Sequence, residues 1–174
     1  MVSTDRSIVL MGMMGSGKST LGIRLATALN RTYTDLDTLI EGLAGQSITE
    51  IFNNQGEEVF RIFESEALTM AIDQPKRVIS LGGGTPCFGS NLELILKKSF
   101  SVYLKCSQEE LFRRLASSKT VRPLTAGKSN DELKTLITGL LKLREPYYMQ
   151  ANLIAESDRL SLTQLLKLLE THKS

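Results

Sequence analysis

The chain has 174 residues, with 21 Lys and Arg against 19 Asp and Glu, a net charge of +2, and two cysteines. That length suits one domain with a single well-buried core, and the near-neutral charge argues against a nucleic-acid partner or an anionic membrane. Two isolated cysteines supply neither a disulfide framework nor a zinc site. With no secretory leader in MVSTDRSIVLMG and no run near the roughly 20 apolar residues of a membrane span, a soluble cytoplasmic protein is expected.

Ile8, Val9 and Leu10 form an aliphatic run of the kind found in a buried parallel strand. Gly12-Met13-Met14-Gly15-Ser16-Gly17-Lys18-Ser19 follows with P-loop spacing, and Thr20 opens a helix. In such a loop, glycines let backbone N–H groups curl around phosphate oxygens, and the helix start adds unpaired donors. Lys18 would reach the β- and γ-phosphates of a nucleotide, and the Ser19 hydroxyl would take a place on Mg²⁺.

Leu21, Leu25, Ala28 and Leu29 recur at helical spacing, so Lys18 to Leu29 reads as a crossover helix. A second strand, Thr32 to Leu36, ends in Asp35-Leu36-Asp37, whose two carboxylates would share a face at the sheet edge where ligands bind. There one acid can hold a metal and its waters while the other accepts a proton from an attacking hydroxyl. The plainer alternative makes Asp37 the cap of a helix from Thr38, and residue types alone leave both open. The strand Val78 to Leu81 carries no acid at its end, which favours Asp35 and Asp37 for the carboxylate role.

Residues 38 to 72 read as a helical insertion over the sheet edge, with a capping box at Ser47 and Glu50 and an apolar stripe that continues past Gly56. Within it, Glu57 and Arg61 form an ordinary i,i+4 pair, and spacing favours that structural reading of Arg61. The triplet Gly82-Gly83-Gly84 is costly to order, and its use is close approach of backbone to a ligand or helix, or a plain tight loop. Cys87 sits in that loop, to pack or as a spectator; Cys106, after an apolar strand, reads as a core residue.

Asn91 to Lys97 reads as a helix, Ser101 to Lys105 as a strand, and Ser107 and Glu110 as the start of another helix. The polar stretch 117–129, with Arg122-Pro123 and Gly127, suits either a mobile lid or a solvated loop. Ser129 and Glu132 open a long helix ending at Arg144-Glu145-Pro146, where Arg144 complements the helix C-terminus. A last strand, Leu153 to Ala155, and a closing helix, Leu160 to Thr171, complete a three-layer α/β/α fold around a parallel sheet of about five strands. His172 belongs to the tail.

Six motifs in order resemble the shikimate kinase family: GMMGSGKST, DLD, Gly56-Glu57-Glu58 with Phe60-Arg61, Leu81-Gly82-Gly83-Gly84, Val121-Arg122-Pro123-Leu124, and Leu143-Arg144-Glu145-Pro146-Tyr147-Tyr148. The likeness runs from Ile8 to the final helix. It implies a P-loop kinase architecture like that of nucleoside monophosphate kinases, in one domain over residues 1–174. The core would be 1–36, 75–116 and 146–174, with a substrate-binding segment at about 37–72 and a lid at about 117–129. It also implies transfer of the γ-phosphoryl group of ATP to the 3-hydroxyl of shikimate, in the chorismate and aromatic amino-acid pathway.

On that resemblance Gly15, Ser16, Gly17, Lys18, Ser19 and Thr20 would bind ATP, with Mg²⁺ as cofactor on Ser19 and, through water, on Asp35. Asp37 would bind the substrate hydroxyls and orient or deprotonate the attacking one. Arg61 and Arg144 would hold the carboxylate, and Gly82, Gly83 and Gly84 would line the substrate. Arg122 would close over the phosphates, making Lys18, Asp37 and Arg122 the catalytic set, and Arg114 would lie near adenine. ATP and shikimate are the expected partners, with no nucleic acid or membrane, and the chain is expected to be a monomer. A kinase for gluconate or a nucleoside monophosphate, or a non-catalytic nucleotide-binding module, is the alternative; the Asn-Lys-x-Asp motif of a guanine-specific switch is missing.

Overall fold

The computed structural model describes residues 5–118, 125 and 127–172. Five parallel strands, β1 (Ile8–Met11), β2 (Thr32–Asp35), β3 (Arg77–Ser80), β4 (Phe100–Lys105) and β5 (Leu153–Glu156), form one sheet in the order β2-β3-β1-β4-β5. β1 lies at the centre, with Leu10 opposite Ser80 on one side and Val102 on the other. All four of its residues are buried, as expected of a strand covered on both faces.

Side chains alternate along β1, and the two faces feed two separate cores. Ile8 and Leu10 pack with Leu21 and Leu25 of α1 (Lys18–Ala28) and Leu165 and Leu169 of the closing helix (Leu162–Thr171). Val9 and Met11 face the other way, toward α2 (Leu36–Ala44), α3 (Ile48–Asp73), α4 (Asn91–Lys98), α5 (Gln108–Ala116) and α6 (Asn130–Tyr148). Each fully buried Leu or Ile of these clusters contributes about 2 kcal/mol of transfer free energy, before the entropy of ordering the chain. The closing helix is α7. The result is a three-layer α/β/α fold in which every strand points its carboxyl end at the same rim.

Several local expectations need correction. β2 stops at Asp35, and helix α2 begins at Leu36, two residues earlier than read from the sequence. Its cap is Asp35, whose carboxylate accepts from the N–H groups of Asp37 and Thr38. Asp37 therefore sits in the first helical turn, where a carboxylate complements the helix dipole, and not on an extended strand. The helical stretch is two helices, with Gly45 in a left-handed turn after α2 and Ser47 and Glu50 closing a capping box on α3. α3 is itself broken at Gly56, whose φ of 83° and ψ of 176° only glycine adopts readily.

α6 runs through Pro146 to Tyr148 instead of ending at Arg144-Glu145-Pro146. Proline removes one N–H near the end of the helix, where few intrahelical bonds remain to lose, and Tyr148 is fully buried beneath that last turn. α4 and β5 each extend one residue further than expected, and α7 starts at Leu162 behind a capping box of Ser161 and Gln164. The expected lid falls largely outside the described residues, Arg122 and the rest of Val121–Leu124 included. Among the described residues no helix is long and apolar enough to cross a membrane.

Candidate active site

The loop after β1 and the start of α1 form one wall of a cleft of about 450 Å³. Lys18 is nearly buried, and its ammonium donates to the carbonyls of Gly12 (2.9 Å) and Met13 (2.8 Å), curling the loop around its own side chain. Ser80, at the end of β3, donates to the Lys18 carbonyl at 3.1 Å and latches the helix start to the sheet. The α1 cap is Gly17, with no side chain closing the helix end. Its first N–H groups thus remain available to an anion. The Ser16 hydroxyl is buried there without a hydrogen-bond partner among the described residues.

Asp35 and Asp37 face this loop from the start of α2, and both line the cleft. Asp35 is held on several sides: Ser19 Oγ donates to it at 3.3 Å, Tyr33 OH at 3.2 Å, and the helix N–H groups take its other oxygen. Asp37 has no such cage. Desolvation within the cleft, and then the like charge of Asp35, push its carboxyl up to about 6; Lys18 opposes the shift and Glu64 adds to it.

The Gly82 to Gly84 backbone carries the cleft onward to two arginines. A Cβ on Gly82 would meet Asp37 Oδ1 at 3.2 Å, one on Gly83 would meet Arg144 Nη1 at 3.1 Å, and one on Gly84 would meet Arg61 Nη1 at 3.4 Å. Any side chain on Gly83 would occupy the space between the arginine and the loop, which is why the triplet is worth its ordering cost.

Both readings of Arg61 coexist in the structure. The expected pair with Glu57 forms at 2.9 Å, and a second bond joins Arg61 to Glu64 at 2.8 Å. The Phe88 ring lies 3.4 Å from its guanidinium carbon. Arg144 stands one turn before Tyr148, whose hydroxyl donates to the Gly83 carbonyl. Hence α6 delivers a guanidinium and an anchoring phenol to the same glycine.

Arg114 also lines the cleft, but most of its donors are taken: Nε by Glu110 (2.6 Å), Nη1 by the Gly15 carbonyl (3.2 Å), and Nη2 by the carbonyls of Ser157 (3.2 Å) and Asp158 (3.1 Å). It ties the phosphate-type loop to the segment after β5, offering a ligand its face more than its edge. Its hydrogen bonds, after those of Arg113, hold the Glu110 carboxyl down at about 2. Cys106 is buried, and Cys87 is half-buried near both pocket arginines.

Two residues that position this site were given no role of their own from the sequence. Glu64 is 2% exposed and accepts from Arg61 and from Thr85 Oγ1 at 2.7 Å. An acid within the buried stripe of Phe60, Ala67 and Leu68, three residues past Arg61, was the available signal. Tyr148 lies four residues past Arg144, on the same helix face. Of the expected site residues, only Arg122 lies outside the described ones.

These features agree with comparisons to known proteins. The family model for shikimate kinase matches residues 14–172. A shikimate kinase of Bacteroides fragilis is 40% identical over 173 residues, covering 95% of this chain and 97% of the relative. The crystal structure of shikimate kinase from Bacteroides thetaiotaomicron superposes with a TM-score of 0.91 at 38% identity, over 95% of this chain and 99% of that one. The Acinetobacter baumannii enzyme in complex with shikimate gives 0.86 at 31% identity, over 97% and 94%. A full-length match of this closeness, on a fold whose P-loop, paired acids and glycine-flanked arginines meet at one rim, places the chain in the shikimate kinase family of ATP-dependent kinases.

Proposed function

We propose that this chain transfers the γ-phosphoryl group of ATP to the 3-hydroxyl of shikimate, giving shikimate 3-phosphate and ADP. The observation that carries the site assignment is the chain of close approaches along the glycine triplet, from Asp37 to Arg144 to Arg61. A small ring acid laid along that backbone puts its carboxylate on the arginines and its hydroxyls beside Asp37, facing the loop that holds Lys18. Arginine suits the first task because its planar fork pairs bidentately with a carboxylate.

Gly15 to Thr20 bind the ATP phosphates, with Lys18 at the β- and γ-phosphates, and Arg114 backs the base. The hard oxygens of Ser19 and Asp35, 3.3 Å apart, fit Mg²⁺, which takes few protein ligands and keeps several waters. Among the described residues no group of three or more His, Cys, Asp or Glu offers a fuller cage. Ser19, and Asp35 through water, would hold Mg²⁺, and that ion when bound offsets phosphate charge.

With its carboxyl near 6, Asp37 is ionised at neutral pH yet basic enough to accept a hydroxyl proton. The 3-hydroxyl oxygen bonds to the γ-phosphorus, the bond to the bridging oxygen of ADP breaks, and the proton passes to Asp37. Arg122 and a lid at 117–129 complete the reading by closing over the phosphates and excluding water. The unit is one domain, working as a cytoplasmic monomer.

A coupled assay of ADP release tests this reading. Shikimate stimulates ATP consumption many-fold, while gluconate, AMP and quinate do not. Stimulation by gluconate or AMP, or by none of the four, overturns it.

A further inference from the structure

We propose that Phe88 is a positioning residue that fixes the plane of the Arg61 guanidinium and thereby sets the preference of the pocket for a carboxylate. The inference rests on the shikimate reading of the site.

Three observations carry it. Arg61 Cζ lies 3.4 Å from the centroid of the Phe88 ring, whereas its sequence neighbour Phe60 is 5.0 Å away. Such a separation is stacking contact, and it occurs at the edge of the pocket, where Phe88 stays partly exposed.

The second observation is donor arithmetic. Glu57 Oε1 takes an N–H from Nε and one from Nη2, and Glu64 Oε2 takes one from Nη1. Among the described residues these are the bonds that Arg61 makes, so of its five guanidinium N–H groups one is left on each terminal nitrogen, the number a bidentate carboxylate needs. Carboxylates hold a guanidinium through its N–H edges, and its face stays free to tilt until something packs on it. A ring on its face removes that freedom, so less entropy is lost when the ligand binds.

The third is that Phe88 does not sit on a loose loop. It directly follows the 3-10 turn Thr85–Cys87. Thr85 Oγ1 donates to Glu64 at 2.7 Å, and its carbonyl accepts from Asn91 Nδ2 at 3.0 Å. Asn91 Oδ1 in turn accepts from Ser65 Oγ at 3.0 Å. Glu64 and Ser65 belong to α3, the helix that bears Arg61, so ring and guanidinium share one frame. A Cβ on Gly84 would touch both in ordinary van der Waals contact, 3.4 Å from Arg61 Nη1 and 3.6 Å from Phe88 Cε2, so guanidinium and ring lie side by side over the same backbone.

Steady-state kinetics of Phe88→Leu and Phe88→Tyr test the proposal, with shikimate and its uncharged methyl ester as substrates. Leucine keeps apolar bulk but has no π face, so KM for shikimate rises about tenfold while KM for ATP stays constant. Tyrosine restores the shikimate KM, and with the ester the leucine variant and the unsubstituted enzyme behave alike. An unchanged shikimate KM in Phe88→Leu, no rescue by tyrosine, or an equal loss with the ester overturns the proposal. Failure of the shikimate reading shows separately, as absent shikimate-dependent turnover in the unsubstituted enzyme.

Discussion

Replacing Asp37 by asparagine separates what this carboxylate costs the fold from what it does for the reaction. Its carboxyl rises from an ordinary 3.8 to about 6, through desolvation first and Asp35 second. Converted directly, that shift corresponds to about 3 kcal/mol. The side chain is exposed to the cleft, and water screening reduces the figure to about 1 kcal/mol.

The sign follows from linkage. A raised folded-state value means that the protonated form is the better tolerated one when folded, so the contribution to stability is present below 3.8 and lost as pH rises through about 6. Asp37→Asn cannot ionise. It is therefore more stable than the unsubstituted enzyme at pH 8 by about 1 kcal/mol, or about 2–4 °C in melting temperature for a chain of this size. The advantage shrinks as pH falls from about 6 toward 4 and vanishes below that. Urea denaturation at pH 8, 6 and 4 measures it, and the same preparation shows turnover reduced about 100-fold or more with ATP affinity unchanged. A pH-independent difference, or an Asp37→Asn variant less stable at pH 8, refutes the electrostatic reasoning; near-normal turnover refutes the role.

Arg61→Lys replaces a fork by a point charge and raises KM for shikimate about tenfold with little effect on KM for ATP; titration calorimetry with each ligand checks the split. Gly22→Ala puts a Cβ 2.8 Å from the Tyr33 ring and 2.9 Å from Ser80 Oγ, two groups that hold Asp35 and the Lys18 carbonyl. Overpacking costs about 1–3 kcal/mol and the gain in helix propensity returns about 1, so a net loss of about 1 kcal/mol is expected in a thermal melt. An unchanged melting temperature would mean that helix α1 shifts freely over the sheet.

The strands and crossover helices were legible because each carries its own period: the aliphatic run at Ile8, the stripe at Leu21 and Leu25, and the capping residues Ser47, Ser107 and Ser129. The phosphate-type loop was legible for the same reason, since its chemistry is local in sequence. What escaped was decided elsewhere. Asp35 and Asp37 look equivalent as a pair two residues apart, and only tertiary bonds from Ser19 and Tyr33 make one a caged acceptor and leave the other a perturbed acid. Pro146 ought to end α6, but the buried Tyr148 beyond it holds two more residues in the helix. Glu64 hid in an apolar stripe because its partners, Arg61 and Thr85, lie on different segments.

On the proposed reading, Arg61 would meet the substrate carboxylate already flanked by the acids Glu57 and Glu64. Its local charge is largely spent before any substrate arrives, so a passing chloride, bicarbonate or inorganic phosphate finds little to draw it in. Occupancy goes to a molecule that also engages the second guanidinium and the acid across the cleft. Where small anions abound, that balance keeps the pocket clear for a guest carrying both an acid group and hydroxyls.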